Sequence, residues 1–471
     1  MSEQTQLGGT DGFRGPATLK HGPGLINEET FALATYALVE RQLEHGEKGP
    51  LIIGQDTRES GTRLRHAAIS GALMHGVEVW DMGIAPTPAL QKVCKELGGM
   101  ATVAITASHN PAEDNGWKGM VGSDKPTKEV VADISRRYWG YTERGPIIMK
   151  RRVKLPRKLE LLSWYEAKVI NDIQKEFGDI PLEGKLFVVD GANGAAQGLT
   201  AEIFRCLGAQ VEEFSCGTKG RINDGCGAAD LSGLKNFLTA NPEITNNPNV
   251  VGAVANDGDA DRVMSVGVLN SNEGPQLVEV NGNHLMGSHA LGQTGIAGTE
   301  YTNSGLVQVL KAEGIGFEYC ANGDVFVTQK LREKQADGED WTRGGEFTGH
   351  HIDTNWLSSG DGIRMAAWFA AFAASHDLTF GEIYSSLPLW NEKMSKVRLP
   401  ASINSASILE SQPVKAVLAK ATDSLASAGR LVVRASGTEP VIRIWGEGKK
   451  RSAVETVVND LETAIRNRLD K

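Results

Sequence analysis

Along the first third of the chain, short unbroken apolar runs alternate with longer stretches in which apolar residues recur every three or four positions. INEETFALATYALVERQLEHG, at 26–46, has the helical period and is preceded by Asn27 as a cap. GPLIIGQDTRES, at 49–60, is a short apolar strand running into a polar loop. The cycle repeats with a helix near 61–75, the strand VEVWDMG at 77–83, a proline-rich turn at IAPTPAL, a further helix and the buried-type strand ATVAI at 101–105. This alternation predicts an α/β fold. The charged, proline-containing stretch at 145–160 interrupts it and reads as a domain junction.

The pattern restarts at 184, where GKLFVVDGANGAAQGLTAEIFRCLGAQVEEF reads strand, glycine-rich turn, helix, strand. Its glycines lack the G-x-G-x-x-G spacing, so tight-turn packing is preferred to dinucleotide binding. A third unit follows, in which AGTEYTNSGLVQVLKAEGIGFEYC, at 297–320, reads loop, helix and strand. The tail differs in texture. RLVVRASGTEPVIRIWGEG is strand, loop, strand, and Val454, Val457, Val458, Leu461, Ile465 and Leu469 then keep helical spacing, which predicts a small α+β domain.

Bulk properties narrow the function. The 471 residues, 40% of them hydrophobic, suffice for several cores, and a net charge of −9 without like-charge blocks argues against nucleic-acid or anionic-membrane partners. Five scattered cysteines without a CxxC pair indicate reduced thiols rather than disulfides or a zinc site. With no signal-peptide pattern or bilayer-length apolar stretch, a cytoplasmic protein is expected.

Four stretches carry chemistry. In ITASHNP, Ser108 projects from a strand end into a turn set by Asn110-Pro111, as a nucleophile or phosphate carrier or as an ordinary turn serine. NDGDADRV, at 256–263, alternates Asp257, Asp259 and Asp261 with small residues, so three carboxylates can converge. Unless the loop is only a solvated acidic turn, a hard divalent ion such as Mg²⁺ is needed to offset their repulsion. An EF-hand is excluded because Arg262 and Val268 stand where it needs Gly and Glu. GGEFTGHH, at 344–351, offers Glu346 and Thr348 for vicinal sugar hydroxyls, with His350 and His351 as metal ligands or solvated residues. RASGTEPVIR, at 434–443, sets Arg434 and Arg443 around Ser436, Gly437 and Thr438, as a phosphate grip or a decorated turn. Arg14, in the glycine-rich leader GGTDGFRG, can also reach a site.

GTDGFRG, TASHNP, DGDADR, GGEFTGH and SGTEP, in this order and spacing, resemble the α-D-phosphohexomutase family over essentially the whole chain. Four further stretches, INDGCGAAD, GTEYTNSGL, NGDVFVTQKLRE and SSGDGI, are similar to its glucosamine-phosphate branch. The resemblance implies four domains around a central cleft, three of related mixed α/β build and a C-terminal one of α+β type. Their expected spans are 1–155, 156–265, 266–385 and 386–471.

It further implies that Ser108 is a phosphoserine holding Mg²⁺ together with Asp257, Asp259 and Asp261. Arg14, Arg262 and Lys118 would surround the transferring group, with Lys118 and His109 as candidates for proton transfer. Glu346, Thr348 and His350 would bind the sugar, and Arg434, Ser436, Gly437, Thr438 and Arg443 the phosphate that is not reacting. The implied reaction moves phosphate between O6 and O1 of a hexose, glucosamine foremost, through a hexose 1,6-bisphosphate. The small-molecule partner is a phosphosugar, and the sequence leaves room for a homodimer. The C-terminal domain is expected to move about a hinge near 386–400. Two positions depart from the pattern: Thr348 replaces the usual Ser, and Val325 replaces the branch's usual Arg. Phosphoglucose or phosphomannose therefore remains an alternative substrate, and a phosphosugar-binding protein without turnover an alternative function.

Overall fold

The computed structural model describes residues 6–143, 160–217, 220–271, 274–400, 403, 405–425, 428–435 and 441–469. The first unit is a five-stranded sheet in which Leu51–Gln55 lies between Val79–Ile84 and Ala101–Ile105, parallel to both. Asp114–Val121 then folds back antiparallel on Ala101–Ile105 and carries Phe13–Pro16 at its far edge. The elements follow local chemistry. The Asn27 side chain accepts from the Thr30 amide at 2.9 Å and starts helix Glu28–Glu44. Helix Thr87–Leu97 has Pro in its first turn and closes at Gly98, with φ 79°.

The second sheet repeats this plan. Leu186–Asp190 lies parallel between Gln210–Phe214 and Val250–Asn256, and Val263–Ser271 and Gly274–Val280 follow antiparallel. The third is a four-stranded version. Gly295–Thr299 lies parallel between Gly316–Cys320 and Arg343–Gly345, and His351–Asp353 turns back antiparallel. In each sheet, therefore, the turn from the third parallel strand into the antiparallel fourth occupies the same place. Residues 106–113, 257–262 and 346–350 are these three turns.

The structure corrects two expectations. The break at 265/266 falls inside strand Val263–Ser271, which hydrogen-bonds on both sides, so the second sheet continues to Val280. Helices Gly362–Ser375 and Phe380–Ser386, which follow the third sheet in the chain, pack back on strands of the second sheet. Gly362–Ser375 is buried from Gly362 through Ala373, in a core shared with helices Thr87–Leu97 and Leu162–Phe177. The segment 297–299, read as loop, ends a fully buried strand; its first residue, Gly295, lies under Trp341, where a Cβ would stand 2.0 Å from the indole.

The C-terminal unit is an antiparallel sheet with Val441–Gly448 between Asn391–Arg398 and Gly429–Ala435. Helix Arg451–Leu469 covers it with Val454, Val457, Val458, Leu461 and Ile465 buried. The five cysteines are free, and among the described residues no helix is long and apolar enough to cross a membrane.

Candidate active site

The first turn presents Ser108. Its backbone is left-handed, at φ 52°, and its amide donates to Thr106 Oγ1 at 2.8 Å. This geometry turns the hydroxyl toward the second turn, where Oγ donates to Asp257 Oδ2 at 2.8 Å across 149 residues of sequence. The second turn can approach because Gly258 has no side chain: a Cβ there would lie 2.6 Å from the Ser108 carbonyl oxygen.

Asp257, Asp259 and Asp261 are all buried, and one oxygen from each lies within 4.8 Å of the others. Burial and the Asp261 and Asp259 carboxylates push Asp257 up to about 7. For Asp261, burial acts upward, but Lys118 and His350 outweigh it and hold the group well below the usual carboxylate range. Lys118 Nζ bridges Asp259 Oδ2 at 2.7 Å and Asp261 Oδ2 at 3.0 Å, and Thr87 Oγ1 also donates to Asp259 Oδ2, at 2.6 Å. Asp259 Oδ1 is buried without a hydrogen-bond partner. An all-oxygen donor set with an orphaned carboxylate oxygen fits a hard divalent cation such as Mg²⁺.

Cationic groups rim this cluster. Arg262 Nε lies 3.8 Å from Asp257 Oδ2, and Arg14 Nη1 donates to the Ala107 carbonyl at 3.4 Å while pairing with Asp11. Burial disfavours the Lys118 charge, but Asp11, Asp259 and Asp261 outweigh it and keep the ammonium protonated. His109 takes the opposite state. The Arg262 charge, burial and Arg14 hold it well below the usual histidine range, so a neutral imidazole stands with Nδ1 3.3 Å from Ser108 Oγ.

The third turn joins through His350, whose Nδ1 lies 2.6 Å from Glu346 Oε2 and whose Nε2 lies 3.1 Å from Asp261 Oδ1. Burial disfavours its charge, yet Asp261 and the hydrogen bonds to both carboxylates raise it to about 10. Both ring nitrogens are thus used within the protein, so His350 orients Glu346 against the second turn. Glu346 Oε1 accepts from the Gly323 amide at 3.0 Å, and Thr348 is half-buried beside it. Neither histidine of the pair is solvated: His351 is 4% exposed, and burial and the neighbouring His350 charge lower it to about 3. On the C-terminal sheet, Arg434 and Arg443 are register partners on adjacent strands, and Arg434 Nε donates to Tyr301 Oη at 2.8 Å. Ser436, Gly437 and Thr438 lie outside the described residues.

Some participants carried too little local signal to be singled out. Asp11 serves Arg14, Lys118 and Lys125 together, and Thr87 steadies Asp259 from the start of helix Thr87–Leu97 in the first unit. Lys125 Nζ lies 2.8 Å from both Asp11 Oδ1 and Asp324 Oδ2, linking the first unit to the third. GTDGFRG marked the neighbourhood of Asp11; nothing in the sequence around Thr87 marks a site.

Family models described as phosphoglucomutase/phosphomannomutase alpha/beta/alpha domain I, alpha/beta/alpha domain III and C-terminal domain match residues 5–144, 273–389 and 394–464. A phosphoglucosamine mutase of Haemophilus influenzae (strain PittEE) is 32% identical over 97% of this chain and 98% of its own length. That of Carboxydothermus hydrogenoformans is 31% identical over 98% and 99%. The chain belongs to the phosphoglucomutase/phosphomannomutase, or α-D-phosphohexomutase, family. Solved structures agree on the fold. A phosphoglucomutase/phosphomannomutase family protein from Burkholderia thailandensis superposes with TM-score 0.73 at 18% identity, covering 99% of this chain and 98% of that one. Aspergillus fumigatus N-acetylphosphoglucosamine mutase, solved with GlcNAc-6P and magnesium, gives TM-score 0.55 at 17% identity, covering 81% and 92%.

Proposed function

We propose that this protein is a phosphosugar mutase that interconverts glucosamine 6-phosphate and glucosamine 1-phosphate through a phosphoserine at Ser108 and a hexose bisphosphate. The observation that carries the reading is the 2.8 Å contact between the Ser108 hydroxyl and Asp257 inside a buried cluster of three carboxylates. Asp257, Asp259 and Asp261 would hold Mg²⁺, which when bound supplies the positive charge that three carboxylates and a phosphoserine require. Arg14 and Arg262 place planar cations beside the transferring phosphoryl group. His109, kept neutral 3.3 Å from the serine oxygen, and Lys118, kept charged on its aspartates, accept and donate protons as that group moves. Glu346, oriented by His350, and Thr348 take the sugar hydroxyls. The C-terminal grip of Arg434, Ser436, Gly437, Thr438 and Arg443 holds the other phosphate in both orientations of the bisphosphate. Positioning and charge neutralisation then supply most of the rate.

The choice of glucosamine is supported by the relatives named above and by INDGCGAAD, GTEYTNSGL and SSGDGI in this chain. The four units of this reading have sheets ending at Val121, Val280, Asp353 and Gly448. The test is turnover with Mg²⁺ and a catalytic hexose 1,6-bisphosphate, comparing kcat/KM for glucosamine, glucose and mannose phosphates. Glucosamine phosphate is expected to lead; turnover of none of the three would end the proposal.

A further inference from the structure

Two side chains from different units grip the same two backbone carbonyls on the nucleophile turn. Arg58, just beyond strand Leu51–Gln55, is 2% exposed. Its Nη2 donates to the carbonyl oxygens of Ser108 at 2.8 Å and Asn110 at 2.9 Å. Its Nη1 donates to the carbonyl of Asp114 at 2.9 Å and also to that of Pro111. The guanidinium is aimed by Asp56, whose Oδ2 accepts from Arg58 Nε at 2.9 Å and from Thr106 Oγ1 at 2.6 Å. From the second unit, Asn223 Nδ2 donates to the same carbonyls, Ser108 at 2.7 Å and Asn110 at 3.1 Å. Asn223 belongs to INDGCGAAD, a stretch with no part in the chemistry above. It is itself left-handed, at φ 58°, and anchored by its amide to the Ala192 carbonyl at 3.0 Å.

A non-glycine residue in the left-handed region is strained and persists only where its surroundings enforce it. At Ser108 the enforcement is visible: the carbonyl of that strained residue receives two donors, one charged, from two different units. We propose that Arg58 and Asn223 are positioning residues for phosphoryl transfer, a two-sided clamp that fixes the Ser108 hydroxyl against the aspartate turn. Arg58 sets the turn within its own unit. Asn223 ties that turn to the unit bearing the acids, so the hydroxyl and carboxylates keep their register while the rest of the cleft moves. A lysine at 58 cannot reproduce a planar fork that reaches four carbonyls and a carboxylate. The proposal rests on the mutase reading, and its test separates the two.

The experiment measures wild type, Asn223→Ala, Asn223→Asp, Arg58→Lys and the Asn223→Ala/Arg58→Lys double variant by steady-state kinetics, thermal melting and amide hydrogen exchange. Asn223→Ala is expected to lower kcat about tenfold and Arg58→Lys about a hundredfold, with KM for the hexose phosphate within about twofold, because the contacts of both side chains are to the turn backbone and Asp56. Asn223→Asp, which points a carboxylate at two carbonyls, should be slower than Asn223→Ala. The double variant should fall short of the product of the single losses, since both residues act on the same carbonyls. Exchange of the Ser108 and Asn110 amides should accelerate selectively in every variant.

A folded Asn223→Ala protein with wild-type kcat, or with exchange unchanged in the 106–113 turn, overturns the clamp. Should Arg58→Lys not fold, the two Asn223 variants decide the matter. Should wild type turn over no hexose phosphate, the mutase reading falls, and the exchange data alone uphold or overturn the clamp.

Discussion

Lys125 and Asp324 meet at 2.8 Å, one from the first unit and one from the third, both nearly out of contact with water. Lys125 completes a chain in which Asp11 also serves Lys118 and Arg14. Burial disfavours the Lys125 charge, yet Asp11 and Asp324 outweigh it and hold the amine well above its ordinary range. Removing one partner of such a pair leaves a buried charge without compensation. Asp324→Ala should therefore destabilise the protein by about 3 kcal/mol in urea unfolding. A loss below about 1 kcal/mol would mean that Asp11 alone satisfies the lysine.

The serine itself gives the sharpest activity test. Ser108→Ala removes the only oxygen of that side chain while leaving the turn's carbonyl contacts in place. Turnover should disappear, and calorimetry should show hexose phosphate still binding within a few-fold of wild type. Intact mass should show the wild type gaining about 80 Da on exposure to hexose 1,6-bisphosphate, and the variant gaining nothing.

Cation binding should be visible without any reaction. The three aspartates crowd one another, and Asp259 Oδ1 has no hydrogen-bond partner. Mg²⁺ binding only the folded state should thus raise the melting temperature, by the equivalent of about 2.7 kcal/mol at a hundred times its dissociation constant. Asp259→Asn should reduce that increment, and chelation by EDTA should abolish it in wild type. An identical melting temperature with and without Mg²⁺ would count against the aspartate site.

Glu392 provides a pH test remote from the aspartates. It lies opposite Glu447 in register at the junction of the third and fourth units, where it accepts from Asn303 and Asn283, with Arg430 paired to Glu447. Burial, and then the Glu447 charge against the opposing Asn303 hydrogen bond, raise it to about 7. A carboxyl raised on folding binds its proton more tightly in the folded state. Its contribution is fully present below the unfolded value, about 4.3, and is lost as pH rises to about 7. Glu392→Gln should flatten that part of the melting-temperature profile. Parallel profiles for wild type and variant would refute the assignment.

Local patterns reached far into this fold, and their failures share a cause. Asn27, the proline-rich turn at IAPTPAL and the buried run ATVAI are short-range signals, and the corresponding elements lie where those signals place them. The packing of helix Gly362–Ser375 was not legible: it crosses to the second sheet, and nothing within its own residues names a strand a hundred positions away. The strand Gly295–Thr299 has glycine at two of its five positions, and Gly295 packs under Trp341, so only Ile296 and Thr299 carry the branched side chains that mark a strand. At the site, Ser108, Asp257 and Glu346 stood out because glycines and prolines frame their turns. Arg58 and Asn223 act on backbone carbonyls, and such contacts leave no spacing in the sequence.

Ser108, the three aspartates and Glu346 each occupy the same bend of a sheet built on one strand order. Labour is thereby divided among three copies of a single architectural slot. On the mutase reading proposed above, rewriting the third bend would alter which hexose is admitted while the strands beneath it, and the two bends bearing Ser108 and the aspartates, stay as they are. Changes in substrate preference can accordingly accumulate at one address without rebuilding the catalytic apparatus.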